Sequence, residues 1–327
     1  NWPGFGLHLR GNTEAFMRAA SRHKKLRIHN GSHVHPFYTE EGRQDQIRFF
    51  DYWLKGIDNG VMKEPPVHVY VTRAQDGTEW RALADWPRPS RSRLYLASGT
   101  SGSRAAARGE LTALVEGSLQ IAPPGDLPAL RLADVPRPQP LVVYGAVRAG
   151  VDSYSATYTL PTQPRWREIV GSPVVHLWIE SAAPDADIYV YLEHVNRMGG
   201  AQVIARGALR ASHRKTGTPP YDTGGTPWQT HLRADAQPLV PGQPVELDIA
   251  LSPTAYTFRS GDLVRLAVTT RSATRNVNTV PPAVSLLSDA AHPSWIELPD
   301  TDTRSAAIEA DASAALASFR RPLLQAR

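Results

Sequence analysis

The sequence predicts an α/β segment over its first 90 or so residues, followed by an all-β part of sandwich or jelly-roll type. Two observations carry this. Between Glu41 and Gly60, Ile47, Phe50, Trp53, Leu54 and Ile57 recur at steps of three and four, the period of an amphipathic helix. Beyond Trp86-Pro87-Arg88-Pro89 that period disappears, and short β-branched runs alternate with Pro, Gly, Asp and Ser.

In the first part, a helix is expected over Thr13–Arg22, with Ala15, Phe16, Ala19 and Ala20 inward. Leu26-Arg27-Ile28-His29 reads as a short strand. The helix of Glu41–Gly60 follows, with one apolar stripe turned to the core and Asp58-Asn59-Gly60 as its stop. Val67–Val71 reads as a further strand. Helix, strand, helix, strand is the texture of an α/β sheet. In the second part, strands are expected at Arg93–Leu96, Leu141–Val147, Ser153–Thr159, Val174–Ile179, Ile188–Val195, Ala201–Ala211, Val245–Leu251 and Leu263–Thr270. Val245–Ile249 alternates with a period of two, as a strand with one buried face does. Leu263–Val268 is apolar on both faces, as in a deeper strand. Pro123–Pro140 and Thr216–Pro227 read as long loops, and the Ala-rich Asp311–Phe319 as a closing helix or a frayed tail.

The chain has 327 residues, 41% apolar and 20% charged, which is enough for two globular domains, each with its own core. No run approaches the 20 or so apolar residues of a membrane helix. There is no cysteine, so disulfides, thiolate metal sites and a cysteine nucleophile are excluded. A cysteine-free chain fits a cytoplasmic protein, although larger secreted proteins also lack disulfides. The net charge of +5 is spread over scattered arginines, with neither a basic stripe nor a nucleic-acid-binding module. No cofactor motif appears.

The cluster with chemical potential is His29-Asn30-Gly31-Ser32-His33-Val34-His35-Pro36, which follows a strand and precedes a helix. Functional side chains of open α/β sheets gather at the carboxyl ends of strands, and an imidazole there suits a general base. A packing or capping histidine is the competing reading. A metal reading draws on His29, His33, His35, Glu40 and Glu41, but spacing provides no third ligand and His-Glu-x-x-His is absent. A serine hydrolase of this architecture needs Gly-x-Ser-x-Gly between a strand and a helix. Gly99-Thr100-Ser101-Gly102-Ser103 fails at its last position, and Gly117-Ser118 and Gly171-Ser172 fail too. With the chain order Ser, acid, His, the nucleophile is expected ahead of residue 1. Asp185 and Asp187 could hold Ca²⁺, but read better as a turn bonded to its own backbone. Trp80, Trp86, Trp166, Trp178, Trp228 and Trp295 could form a sugar platform, but read better as core or interface.

Several segments together resemble the cocaine-esterase-like hydrolases, grouped with X-Pro dipeptidyl-peptidases and α-amino-acid ester hydrolases. They are Gly6-Leu7-His8-Leu9-Arg10-Gly11-Asn12, Gly31-Ser32-His33, Phe49–Gly56, Trp80-Arg81, Asp85-Trp86-Pro87, Gly171-Ser172-Pro173, Asp185–Asp187, Gly207–Arg214, Phe258–Leu266 and His292–Pro299. The resemblance spans nearly the whole chain. It implies the C-terminal piece of an α/β-hydrolase catalytic domain over residues 1–90, followed by a jelly-roll β-sandwich over 91–327. It also implies a Ser-His-Asp triad with His33 as its histidine. The place of the triad acid reads Trp2-Pro3-Gly4-Phe5, and Gly4 cannot orient an imidazole. Either the acid comes from elsewhere, upstream or among the nearby Glu14, Glu40, Glu41 and Asp45, or the triad is weakened.

The expectation is therefore the C-terminal part of a serine acyl-hydrolase, acting on a small-molecule ester or amide once joined to an N-terminal catalytic portion. The fragment alone is expected to be inactive. A carbohydrate- or protein-binding β-sandwich without catalysis is the alternative. No nucleic acid, membrane or cofactor is called for. A sheet lacking its earlier strands would expose an edge and an apolar face, which is compatible with a homo-oligomer.

Overall fold

The computed structural model describes residues 8–31, 33–73, 77–88, 90–97, 101–105, 111–120, 130–131, 151, 155–160, 167–197, 200–271 and 282–301. Its front comprises α1 (Leu9–Arg18), β1 (Leu26–Ile28), the one-turn α2 (His35–Tyr38) and α3 (Glu40–Lys55). Helix α1 begins four residues earlier than its apolar period predicts. Leu9, Thr13 and Phe16 line its buried side, whereas Ala15, Ala19 and Ala20 are exposed. Helix α3 is capped by Thr39, whose hydroxyl accepts a hydrogen bond from Gly42 N at 3.3 Å. It ends at Gly56, in the left-handed region at φ 69°, and not at Gly60 as the sequence predicts. Gly60, also at positive φ, instead opens a short 3₁₀ turn over Val61–Lys63.

The remainder is mostly β: β2 (Val67–Arg73), β3 (Gly77–Leu83), β4 (Ser90–Ala97), β5 (Ser101–Ala105), β6 (Leu111–Gln120), β7 (Leu130–Arg131), β8 (Ala156–Thr159), β9 (Arg167–Gly171), β10 (Val174–Ser181), β11 (Asp187–Val195), β12 (Ala201–Arg210), β13 (Val245–Ala250), β14 (Thr254–Phe258), β15 (Leu263–Thr269), β16 (Val284–Leu287) and β17 (Trp295–Asp300). All belong to one hydrogen-bonded sheet. It curls so that strands far apart along the ladder face each other. From β14 the ladder runs through β9, β17, β4, β6, β8 and β15 to β11. Yet His194 on β11 lies 5.4 Å, ring to ring, from Tyr256 on β14.

The space enclosed is the main core, filled by side chains such as Leu94, Leu177, Ile188, Leu192, Leu247, Phe258, Leu266 and Ile296. The predicted alternation is seen in β13, where Leu247 and Ile249 point in and Glu246 and Asp248 out. β15 is buried on both faces. Gly207 on β12 faces the Ala250 carbonyl so closely that a Cβ would sit 2.8 Å from its oxygen. The expected strand at Leu141–Val147 and the Asp311–Phe319 segment lie outside the described residues.

A second core joins the front to the sheet. Leu9 and Phe16 of α1 pack on Leu26 and Ile28 of β1, Val67, Val69 and Val71 of β2, Trp86, Val170 and Ala255. Strand β2 is the hub. It pairs parallel with β1 and with β14, and antiparallel with β3. Among the described residues, no helix is long and apolar enough to cross a membrane.

Candidate active site

His33 follows β1 in a short loop at the carboxyl end of that strand, and it is exposed. The loop is anchored before it reaches His33. Asn30 Nδ2 donates to Thr72 Oγ1 of β2 at 3.1 Å, and that hydroxyl lies 3.3 Å from Asn30 Oδ1. Gly31 then turns the chain at φ 92°, a conformation that costs glycine nothing and other residues about 1 kcal/mol or more. Beyond His33, Phe37 N closes the first turn of α2 onto Val34 O at 3.0 Å. Against the His33 ring lies His8, the residue just before α1, with centroids 4.9 Å apart and planes tilted by 31°.

The candidate acids are engaged elsewhere. Glu14 pairs with Arg10 and accepts from Tyr221 Oη, Glu40 pairs with Arg43, and Asp45 and Glu41 pair with Arg27. Among the described residues, no carboxylate lies within ion-pair distance of His33. Gly4 lies outside the described residues. So does Ser32, next to His33. For the metal reading, His29 Nδ1 sits 2.6 Å from Asn30 O, and the described residues hold no group of three or more potential ligands.

The α2–α3 surface exposes apolar side chains, and this departs from the sequence reading. Helix α3 was expected to bury the stripe Ile47, Phe50, Trp53, Leu54, Ile57, yet it has no buried residue. Its charged side meets the chain: Asp45 and Glu41 pair with Arg27 of β1, and Arg48 with Glu64 beyond the helix. The apolar side points out, with Phe50 54% and Leu54 77% exposed. Phe37 and Tyr38 of α2 extend the patch at 64% and 83%. Under the helix, Arg27 lies over the Trp80 ring, and burial and then the Arg27 charge hold the His68 imidazole below its ordinary value.

The other candidates have structural partners. Asp185 accepts from Ala186 N, Ser212 N and Ser212 Oγ, and Asp187 forms a two-pronged pair with Arg210, so these acids tie β11 to the end of β12. Ser101 and Ser103 fall within β5 and Ser118 within β6, not at strand-to-helix turns. Ser172 O receives Arg91. Trp86 is buried in the second core. Trp295 is sandwiched between His176 of β10, stacked at 3.9 Å, and the Arg93 guanidinium of β4 at 4.2 Å, so both its faces are covered. Trp166 lies outside the described residues. Sequence reasoning assigned no role to His8; its one signal was membership of the Gly6–Asn12 segment.

Residues 59–292 match the family model described as the X-Pro dipeptidyl-peptidase C-terminal non-catalytic domain. The chain belongs to this family. It is 32% identical over 277 residues to the Mycobacterium bovis protein named "Putative serine esterase Mb1866c", covering 81% of this chain and 41% of that protein. A Bacillus anthracis protein named "Putative Xaa-Pro dipeptidyl-peptidase" matches over 79 residues at 35% identity, covering 23% of this chain and 12% of that one. A crystal structure of a CocE/NonD family hydrolase from Staphylococcus aureus superposes with a TM-score of 0.70 at 20% identity, over 90% of this chain and 52% of that chain. This family member thus spans less than half of the M. bovis relative and about half of the S. aureus structure. Together the matches support a C-terminal, CocE/NonD-like piece in a serine-hydrolase context. His33 and the α2–α3 surface precede residue 59, outside the stretch described as non-catalytic.

Proposed function

We propose that this chain is the C-terminal part of a serine acyl-hydrolase and that His33 is its general base. On this reading, residues 1–90 complete an α/β-hydrolase domain whose nucleophile lies on a further portion of the polypeptide. Residues 91–327 form a jelly roll beside it. The observation that carries the reading is the orientation of α3. A helix that docks by its charged face and turns Phe50 and Leu54 to solvent is built to be covered, and His33 comes just before α2, whose Phe37 and Tyr38 are exposed as well. An exposed histidine on an anchored loop, followed by the exposed Val34, Phe37 and Tyr38, is half of a site.

The chemistry follows from the residue. In acyl transfer, His33 takes the proton of the serine hydroxyl as the oxygen attacks the ester or amide carbonyl. It then returns that proton to the leaving alcohol or amine, and water repeats the cycle on the acyl-enzyme. No cofactor is needed.

The test uses the full-length polypeptide. His33→Ala is expected to lower kcat for a p-nitrophenyl ester by about 10²- to 10⁴-fold, the range of general-base catalysis. Fluorophosphonate should label a serine of the added portion and none in this chain. Unchanged turnover in His33→Ala would overturn the assignment.

A further inference from the structure

We infer that His8 is the positioning residue of His33, fixing the imidazole as a carboxylate would; this rests on His33 being the general base. A working histidine base needs its Nδ1 side held so that Nε2 meets the nucleophile. By resemblance, an acid of the segment before α1 does this, but that place reads Gly4, and no described carboxylate is within ion-pair distance of His33. His8 is within reach, its ring centroid 4.9 Å from that of His33.

Both rings stand on separately anchored backbones. The His8 carbonyl accepts Asn12 N at 3.0 Å in the first turn of α1, and the next residue, Leu9, is 1% exposed in the second core. The His33 loop is tied to β2 through Asn30 and Thr72. The His8 side chain makes no cap hydrogen bond to its own helix, so its ring is not committed there. A site is held to tolerance when its members sit on rigid elements, and here α1 and β2 are both part of the second core. At this ring separation, a His8 ring turned toward its neighbour would offer a nitrogen to accept the His33 Nδ1–H, and that bond would fix the His33 ring. A neutral imidazole carries no charge, so His8 orients the base more than it stabilises the imidazolium. Its loss should therefore cost less than the loss of a triad carboxylate.

The experiment compares His8→Ala, His8→Asn and His33→Ala in the full-length protein, with steady-state kinetics, thermal melts and ¹⁵N imidazole shifts of His33. His8→Ala is expected to lower kcat about 10- to 100-fold, the scale for losing an outer partner that orients a working histidine. KM should stay within a factor of about three, and the His33 tautomer ratio should shift. His8→Asn should recover most of the rate, because its amide oxygen can accept the same proton. If His33→Ala is inactive while His8→Ala keeps full kcat and an unchanged His33 tautomer, the base assignment stands and the His8 inference falls. Equal losses in His8→Ala and His8→Asn with lowered melts would mark His8 as merely structural and also overturn it. If all three variants turn over normally, the general-base reading itself is overturned.

Discussion

The curled sheet and the α2–α3 surface both carry large apolar side chains, and these have opposite fates. In the sheet, Leu177, Ile188, Phe258 and Leu266 are sealed from water because the ladder returns on itself and supplies both walls. On α3, Phe50 and Leu54 are side chains of the same types and have no wall. The helix is held by ion pairs to Arg27 and Glu64 on its other side. An apolar stripe thus specifies that a surface will be covered, but the covering group need not come from the same stretch of chain.

Truncations break this comparison most sharply. Phe258→Ala or Leu266→Ala should destabilise this chain by about 3–5 kcal/mol, as large cavities in closed cores do. Leu54→Ala should change it by less than about 0.5 kcal/mol, as at an exposed position. Urea unfolding of both on this chain checks the contrast. In the full-length polypeptide, Leu54→Ala should move into the range of about 2–5 kcal/mol. If it stays near zero there, the outward face is not a seat for the rest of the protein. Gly207→Ala sharpens the closed side of the comparison. Its new methyl would meet the Ala250 carbonyl, so a loss of about 1–3 kcal/mol is expected in the same assay. On the open side, Thr39→Ala removes the cap of α3 and should cost about 1 kcal/mol of local stability, read as faster amide exchange in Gly42 and its neighbours.

The smallest effect expected is a pH slope. His68, beneath α3, is held below its ordinary value by burial and then by Arg27. His231 is held down by burial, by His213 and by Arg10. For each, the unfolded chain binds the proton more readily. Their contribution is therefore complete above about pH 6.5 and is lost as the pH falls through the folded values. Urea midpoints between about pH 8 and pH 5 should drop, and drop less steeply in His68→Gln. An equal slope in the variant would mean that His68 is not a source.

What was legible in the sequence follows the physics of burial. β13 could be read because Glu246 and Asp248 alternate with Leu247 and Ile249. β14 was missed because all five of its residues are buried and no alternation marks it. Helix α3 was legible as a helix, but its facing was not, since the period does not say which neighbour arrives. The place of His33 just after a strand was legible. His8 was not, because its meeting with His33 depends on how α1 and β1 pack across the second core.

The central position of β2 has a mechanical consequence. By hydrogen bonds, the His33 loop reaches the rest of the sheet through β2, where Asn30 pins it at Thr72. The same residue pairs with Tyr256 of β14, and Arg73 with Thr257. Parallel strands pulled along their length resist in shear, with their bonds loaded together. A displacement of the sheet along β14 would then be transmitted to the loop as a rigid translation through Thr72. If the two parts of the protein ever slide against each other, the base moves with β2, and Thr72 is the joint through which that load passes.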